Sequence, residues 1–317
     1  MRELVETLAA QESQPKSDMK TTGDKKRKSS DDITSNEGGD KKHDITSNEG
    51  DKKRKSPDDS TSNEGQHWLR LVNDPSILNS YIDKLGFDTS LYELTDVLSP
   101  ESWAQAMIPQ PVAAVIMFYP LTDVQLEHHR MEHVSPASDD VWFIKEHIEN
   151  ACGTIALLHA LLNLPVLLRT VVIRPDSWLH SFNRDCPVSL SPATKSERLE
   201  GDSTIKMLHD MAARDESNQA SLDNFNDEVD THYVALVHDN NRGHYVALVH
   251  VNGGLYELDG RKEGPIRHCD TTQETLLKDA CKVMENFMKH DPHEMRFSIL
   301  ALVPKNILVL SPKMTSK

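Results

Sequence analysis

The chain has 317 residues, four cysteines and a formal net charge of −15. An acidic body of this size argues against a nucleic-acid partner, whose phosphates it would repel, and suits a neutral or basic protein partner. Cys152, Cys186, Cys269 and Cys281 show no CxxC or Cys/His zinc spacing, and no run reads as a leader or a membrane span, so free thiols, a reducing compartment and no membrane attachment are expected.

In chain order, residues 1–65 read as a disordered, low-complexity repeat tail. Asp24-Lys25-Lys26-Arg27-Lys28-Ser29 leads to Thr34-Ser35-Asn36-Glu37-Gly38, a shorter copy covers 40–50, and a full copy covers 51–65. Units this short and polar have no apolar face to bury against one another. The basic clusters bounded by Lys25 and Lys28, and by Lys52 and Lys55, read as solvated charge runs or as a nuclear import signal, which gives a cytoplasmic location with nuclear entry as the second option. Residues 66–303 form the single folded domain, long enough for one well-buried core. Residues 304–317 are a C-terminal extension, in which Ile307-Leu308-Val309-Leu310 reads as an extra packed strand.

Within the domain, residues 76–85 have helical apolar spacing and stop at Gly86. Ser99-Pro100-Glu101 opens a second helix, with serine as cap and proline in the first turn. Residues 112–119 are a continuous apolar run closed by Pro120, a strand buried on both faces. A helix-like patch runs to about His133 and contains His129-Arg130-Met131-Glu132-His133. That matches HxxEH, a spacing that sets two imidazoles on one helix face for zinc. No third ligand is evident, so the patch reads as a solvated helix face, with no metal or cofactor implied.

An apolar helix from Ile155 to Leu162 ends at Pro165, and a polar, irregular stretch is expected from there to Thr231. Residues 232–237, 244–251 and 255–258 read as strands. Asp270-Thr271-Thr272-Gln273 reads as a capping box for a long helix with an apolar stripe at Leu276, Ala280, Val283, Met284 and Phe287. Residues 296–303 return as a strand. Helices outnumber strands, so one buried sheet lies between them: α/β or α+β, a helix–sheet–helix sandwich.

Cys152 stands at the mouth of the apolar helix. The unpaired N–H groups of a first helical turn and the positive end of its dipole favour thiolate over thiol. Gly153 beside it removes side-chain bulk that would block a substrate carbonyl. A cysteine nucleophile needs a base and a group to orient that base. His244 begins one strand and Asp259 ends the next. Antiparallel pairing through Asn252-Gly253-Gly254 would bring them to one sheet edge. Taken singly, each has an ordinary explanation: a packed thiol, a surface imidazole, a turn aspartate.

Together they carry a resemblance. Asn150-Ala151-Cys152-Gly153-Thr154, His244-Tyr245-Val246-Ala247-Leu248-Val249-His250 and Leu255-Tyr256-Glu257-Leu258-Asp259-Gly260-Arg261-Lys262 resemble the motifs of the small ubiquitin carboxyl-terminal hydrolases, papain-related cysteine peptidases of family C12. The similarity covers about residues 67–302 and includes Trp68-Leu69, Pro109-Gln110-Pro111-Val112 and Met295-Arg296-Phe297. It implies a papain-like sandwich with a central antiparallel sheet and a crossover loop, here about 201–231, over the active site. It implies Cys152 as nucleophile, His244 as general base and acid, and Asp259 as the orienting group. The partners implied are ubiquitin and ubiquitin adducts, with no cofactor; a monomer is expected.

The chain departs from that pattern twice. The family places a glutamine six residues before the nucleophile, where its amide donates to the oxyanion; here the position is Glu146. An ionised carboxylate only accepts hydrogen bonds, and losing one oxyanion donor costs about 10²–10³ in rate. The expectation is a slow hydrolase relying on the backbone N–H of Cys152, the alternative being a weakened or inactive ubiquitin-binding protein of the same fold. The second departure is an exact duplication: His232-Tyr233-Val234-Ala235-Leu236-Val237-His238 recurs twelve residues on. Only the second copy stands fifteen residues before Asp259, so His244 and not His232 is assigned. If the first copy stays outside the sheet, the crossover loop is longer and admits bulkier adducts.

Overall fold

A computed structural model describes residues 67–131, 139–215 and 243–305. Helix α1 (Pro75–Leu85) starts at Asp74, whose carboxylate accepts from the N–H groups of Ser76 and Ile77, and it ends at Gly86 with φ 111°. Strand β1 (Tyr92–Val97) is not among the expected strands. It lies at the sheet edge with only three of its six positions buried, so its apolar signal is diluted. The helix expected from Ser99 is a single turn, α2 (Ser102–Gln105). Ser99 Oγ accepts from the Glu101 N–H and closes a turn ahead of it. Strand β2 (Ala114–Pro120) is buried at every position. Helix α3 (Asp123–Met131) follows; the second half of the HxxEH motif lies outside the described residues.

Helix α4 (Cys152–Leu162) is buried along its whole length. The polar stretch after it, expected to be irregular as far as Thr231, is instead largely helical up to residue 213. It forms α5 (Val166–Val172), α6 (Trp178–Asp185), α7 (Pro192–Glu200) and α8 (Ser203–Ala213). Ser177, Ser191 and Asp202 cap the last three. These helices bury only a few apolar residues each, such as Leu179 and Phe182, so their periodicity is faint while their capping residues were the readable signal. The front of the expected crossover loop is therefore helix α8. Residues 216–242, with the first copy of the duplicated segment, lie outside the described residues, as do the basic tail clusters and Ile307-Leu308-Val309-Leu310.

Strands β3 (Gly243–Val251) and β4 (Gly254–Leu258) follow, and β5 (Ile266–Asp270) is a further strand the sequence did not announce. Asp270 ends β5, so it does not cap the next helix, α9 (Leu276–His290). There the Thr272 N–H donates to Thr275 Oγ1 and the Thr275 N–H to Thr272 Oγ1 instead. Strand β6 (Ser298–Pro304) completes the described elements.

The six strands pair in the order β1-β6-β2-β3-β4-β5, every neighbour antiparallel. Side-chain alternation splits the sheet into two apolar faces. Ile116, Phe118, Tyr245, Ala247 and Val249 pack with α4, while Val115, Met117, Val246 and Leu248 pack with α9. The helix–sheet–helix sandwich expected from the sequence is the one observed.

Gly86 is required twice over. Its positive φ disfavours any other residue, and an added Cβ would lie 2.1 Å from the Ser177 Cβ. Gly86→Ala is expected to destabilise the domain by more than about 2 kcal/mol, read as a lower urea midpoint.

Candidate active site

The position of the candidate nucleophile is set by apolar burial. Leu157, Leu158, Leu161 and Leu162 are all within 2% of complete burial, each contributing about 1.5–3 kcal/mol. That outweighs the roughly 1 kcal/mol forgone because Ala151, at the N-cap of α4, offers no side-chain cap. The first-turn N–H groups, including that of Cys152, are thereby left to the site. Asn150 precedes them at φ 66°, a conformation its side chain tolerates. Its amide donates to the Trp68 carbonyl (3.1 Å) and accepts from Arg70 Nε (3.2 Å), while the Trp68 N–H donates to the Glu149 carbonyl at 3.0 Å. The opening residues of the domain thus brace the turn that aims the sulfur.

Gly153 has a different reason than the sequence suggested. A Cβ there would lie 3.0 Å from Leu71 Cδ1 and 3.3 Å from Leu71 Cβ, so the close approach of the segment before α1 favours the glycine. One residue on, Thr154 Oγ1 joins a buried chain: it lies 2.9 Å from Tyr81 Oη and 2.8 Å from His209 Nδ1, and His209 Nε2 donates to the Leu69 carbonyl at 2.6 Å. This links α1, α4 and α8, and no periodicity argument would have found it.

His244 and Asp259 meet because β3 and β4 pair antiparallel, His250 opposite Leu255 and Ala247 opposite Leu258. His244 Nε2 lies 2.8 Å from Asp259 Oδ1, with both side chains fully buried. The Arg261 N–H donates to the same oxygen at 2.9 Å. Tyr119, the cross-strand neighbour of His244, stands edge-on to its ring at 5.9 Å. Gly243 has no room for a side chain, since a Cβ would lie 2.2 Å from Phe118 Cζ.

The turn bearing Asp259 is tied from behind. Lys262 Nζ donates to Glu257 Oε1 at 2.7 Å, and His268 Nε2 lies 2.8 Å from Glu257 Oε2. Burial opposes a charge on Glu257, but Lys262 and His268 outweigh it and hold the carboxyl below its ordinary range.

Asp259 occupies Nε2, so proton exchange with the sulfur would run through Nδ1. Burial alone would push the His244 pKa down. The Asp259 carboxylate first, and then the neighbouring Cys152 sulfur, reverse this and raise it to about 10. His244 and Asp259 are therefore paired, with the Cys152 sulfur near enough to bear on the same imidazole. The other thiols do not resemble a nucleophile: burial raises Cys186 and Cys269 and pushes Cys281 up to about 12.

Glu146 stands against this group. Its N–H donates to the Gly260 carbonyl at 2.7 Å, and its Oε2 accepts from Arg261 Nε at 3.1 Å. The Glu146 side chain is 5% exposed and that of Arg261 34%. In the sequence Arg261 is only one residue of the motif around Asp259, and no spacing links positions 146 and 261. Among the described residues no cluster of His, Cys, Asp or Glu could hold a metal ion. No single helix there is long and apolar enough to cross a membrane, and α4 is apolar because it is core.

Comparison with known proteins agrees with the motifs. Residues 68–289 match the family model described as ubiquitin carboxyl-terminal hydrolase, family 1. Ubiquitin carboxyl-terminal hydrolase 3 of Arabidopsis thaliana is 33% identical over 241 residues, covering 75% of this chain and 94% of the plant protein. The human isozyme L1 is 33% identical over 236 residues, covering 72% and 95% respectively. In fold, the chain is similar to the UCH37 catalytic domain of Trichinella spiralis, solved with ubiquitin vinyl methyl ester. The TM-score is 0.56 with 20% identity, over 75% of this chain and 96% of that one.

The raised His244 pKa links stability to pH. Relative to the ordinary 6.5, the charged imidazole contributes stability that is fully present below about pH 6.5 and lost as pH climbs through about 10. Asp259→Asn should lower the urea midpoint at pH 7, and the gap between variant and parent should narrow towards pH 10. A gap that stays constant or widens would contradict the assigned pairing.

Proposed function

The chain belongs to ubiquitin carboxyl-terminal hydrolase family 1, a family of cysteine-type deubiquitinases, and we propose that Cys152, His244 and Asp259 carry its chemistry. It is a thiol-dependent hydrolase that cleaves adducts from the C-terminus of ubiquitin. The observation that supports the residue assignment is the buried His244–Asp259 pair beside the Cys152 sulfur.

The Cys152 sulfur, its proton passed to His244 Nδ1, attacks the carbonyl carbon after the last ubiquitin glycine. A C–S bond forms and the carbonyl electron pair moves onto oxygen, where the uncapped N–H of Cys152 stabilises it. Collapse breaks the bond to the leaving group, which takes the proton from His244. Water then attacks the thioester while His244 accepts its proton, and the C–S bond breaks as that proton returns to sulfur. Asp259 holds the ring with Nε2 engaged, so that Nδ1 faces the sulfur throughout. No cofactor is called for by these steps, and the chain is taken to act as a monomer.

Glu146 makes this a slow member of the family, because a carboxylate stands where an amide donor would. The competing reading, a ubiquitin-binding module without turnover, is favoured by the same residue. The basic clusters in the tail lead us to infer a cytoplasmic protein with access to the nucleus, and deleting residues 1–65 should remove any nuclear fluorescence of a tagged chain.

A ubiquitin probe with a thiol-reactive C-terminus should label the unaltered chain, and Cys152→Ala should abolish the adduct. Tight but purely non-covalent binding would favour the module instead. Glu146→Gln should raise turnover of a ubiquitin C-terminal reporter by about 10²-fold. His244→Ala should abolish turnover and His232→Ala should spare it; the reverse outcome would move the base to the first copy.

A further inference from the structure

Glu146 raises a problem that the reaction must solve. By the family pattern position 146 holds the oxyanion donor, and a carboxylate there, its side chain 5% exposed, would repel the developing charge unless a cation compensates it. The structure holds such a cation. Arg261 is gripped at both ends of its chain: its backbone N–H donates to Asp259 Oδ1 at 2.9 Å, and its Nε donates to Glu146 Oε2 at 3.1 Å. The Glu146 backbone is itself bonded to the Gly260 carbonyl, and a Cβ at Gly260 would lie 3.0 Å from both Glu146 N and Glu146 Cβ. Backbone packing thus holds residue 146 against Gly260, the neighbour of Arg261, and the two side chains close the remaining gap.

We propose that Arg261, anchored by Glu146, is the oxyanion-stabilising side chain of this enzyme, the pair jointly replacing a single amide donor. The proposal rests on the hydrolase reading above and deepens it. A guanidinium carries five N–H donors in a rigid fork, and bonding through Nε leaves both terminal amino groups outside the bond to Glu146. Arg261 also feels the Cys152 sulfur. Burial works against its charge, but Glu146, Cys152 and Asp259 outweigh this and raise its pKa. Two-thirds of the side chain is covered, with the remainder open at the surface. A carboxylate in this position thus acts as a tether for a donor, although it cannot donate itself.

Four single variants and their combinations separate this role from simple charge neutralisation. Arg261→Ala should lower kcat/KM on a ubiquitin C-terminal reporter by about 10²-fold, and should weaken binding of ubiquitin C-terminal aldehyde, whose thiol adduct is tetrahedral, by a similar factor. Affinity for unmodified ubiquitin should stay unchanged. Arg261→Lys should recover part of the loss, since it keeps the charge but not the fork. Glu146→Ala should lower activity by untethering the guanidinium, whereas Glu146→Gln raises it and makes a second Arg261→Ala change nearly silent. The proposal is overturned if Glu146→Ala raises kcat/KM as Glu146→Gln does and Arg261→Ala then has no effect in the Glu146→Ala background, for Arg261 would then only cancel a charge. It is equally overturned if Arg261→Ala weakens ubiquitin and the aldehyde alike. If the unaltered chain forms no adduct with ubiquitin vinyl methyl ester, the hydrolase reading fails first; adduct formation with silent Arg261 variants sinks the arginine role alone.

Discussion

The antiparallel pairing of β3 with β4 is the constraint on which the site depends. Its register, His250 against Leu255 and Ala247 against Leu258, ends β4 at Leu258, and Asp259, the next residue, meets His244 at 2.8 Å. A slip of one residue would turn His244 to the other face of the sheet and dissolve the pair. That register is protected by the burial of both strands: β3 lies between β2 and β4, and its alternating side chains fill two separate cores. Specification of the imidazole–carboxylate pair is thus inherited from the hydrophobic pattern of the sheet, and needs no strong interaction of its own.

The nucleophile is held by a different logic. Helix α4 has no side-chain cap and no polar face; it stays in place because it is enclosed on all sides. Enclosure frees its N-terminal amides for chemistry, while Asn150 and the residues following His67 define the turn through which the chain enters. The buried Tyr81–Thr154–His209 chain then ties this helix to α8, which leads towards the segment preceding β3. Helix start and strand ends belong to one shared core, and the site lies where the N-terminus of α4 meets the ends of β3 and β4.

Charge at that seam is dense and balanced. Within a few side chains stand Asp259, Glu146, Glu257, His244, Arg261 and Lys262, nearly all buried, and each acid has a cationic or imidazole partner. Breaking such a pair on one side leaves an uncompensated buried charge and costs more than removing both members. A glutamate at position 146 is tolerable on this account only because Arg261 is fastened beside it. Substitution at one site of the network therefore changes what its neighbours can do.

How much of this was legible varied with the kind of physics involved. Strand β2, helix α4 and the stripe of α9 are strongly patterned, and their burial follows from their sequence alone. The Cys152, His244 and Asp259 candidates were likewise readable, because a helix start, a strand start and a strand end are local features, and a two-glycine turn implies that two of them converge. Edge strands β1 and β5 and helices α5 to α8 were not recognised, since short elements with half their residues in water carry little periodicity, although Ser177, Ser191 and Asp202 were there to be read as caps. The meeting of Cys152 with His244 and the Glu146–Arg261 ion pair belong to tertiary structure only. These contacts join residues whose spacing obeys no helical or strand period, and they exist because two packed layers close on each other, which no local pattern encodes.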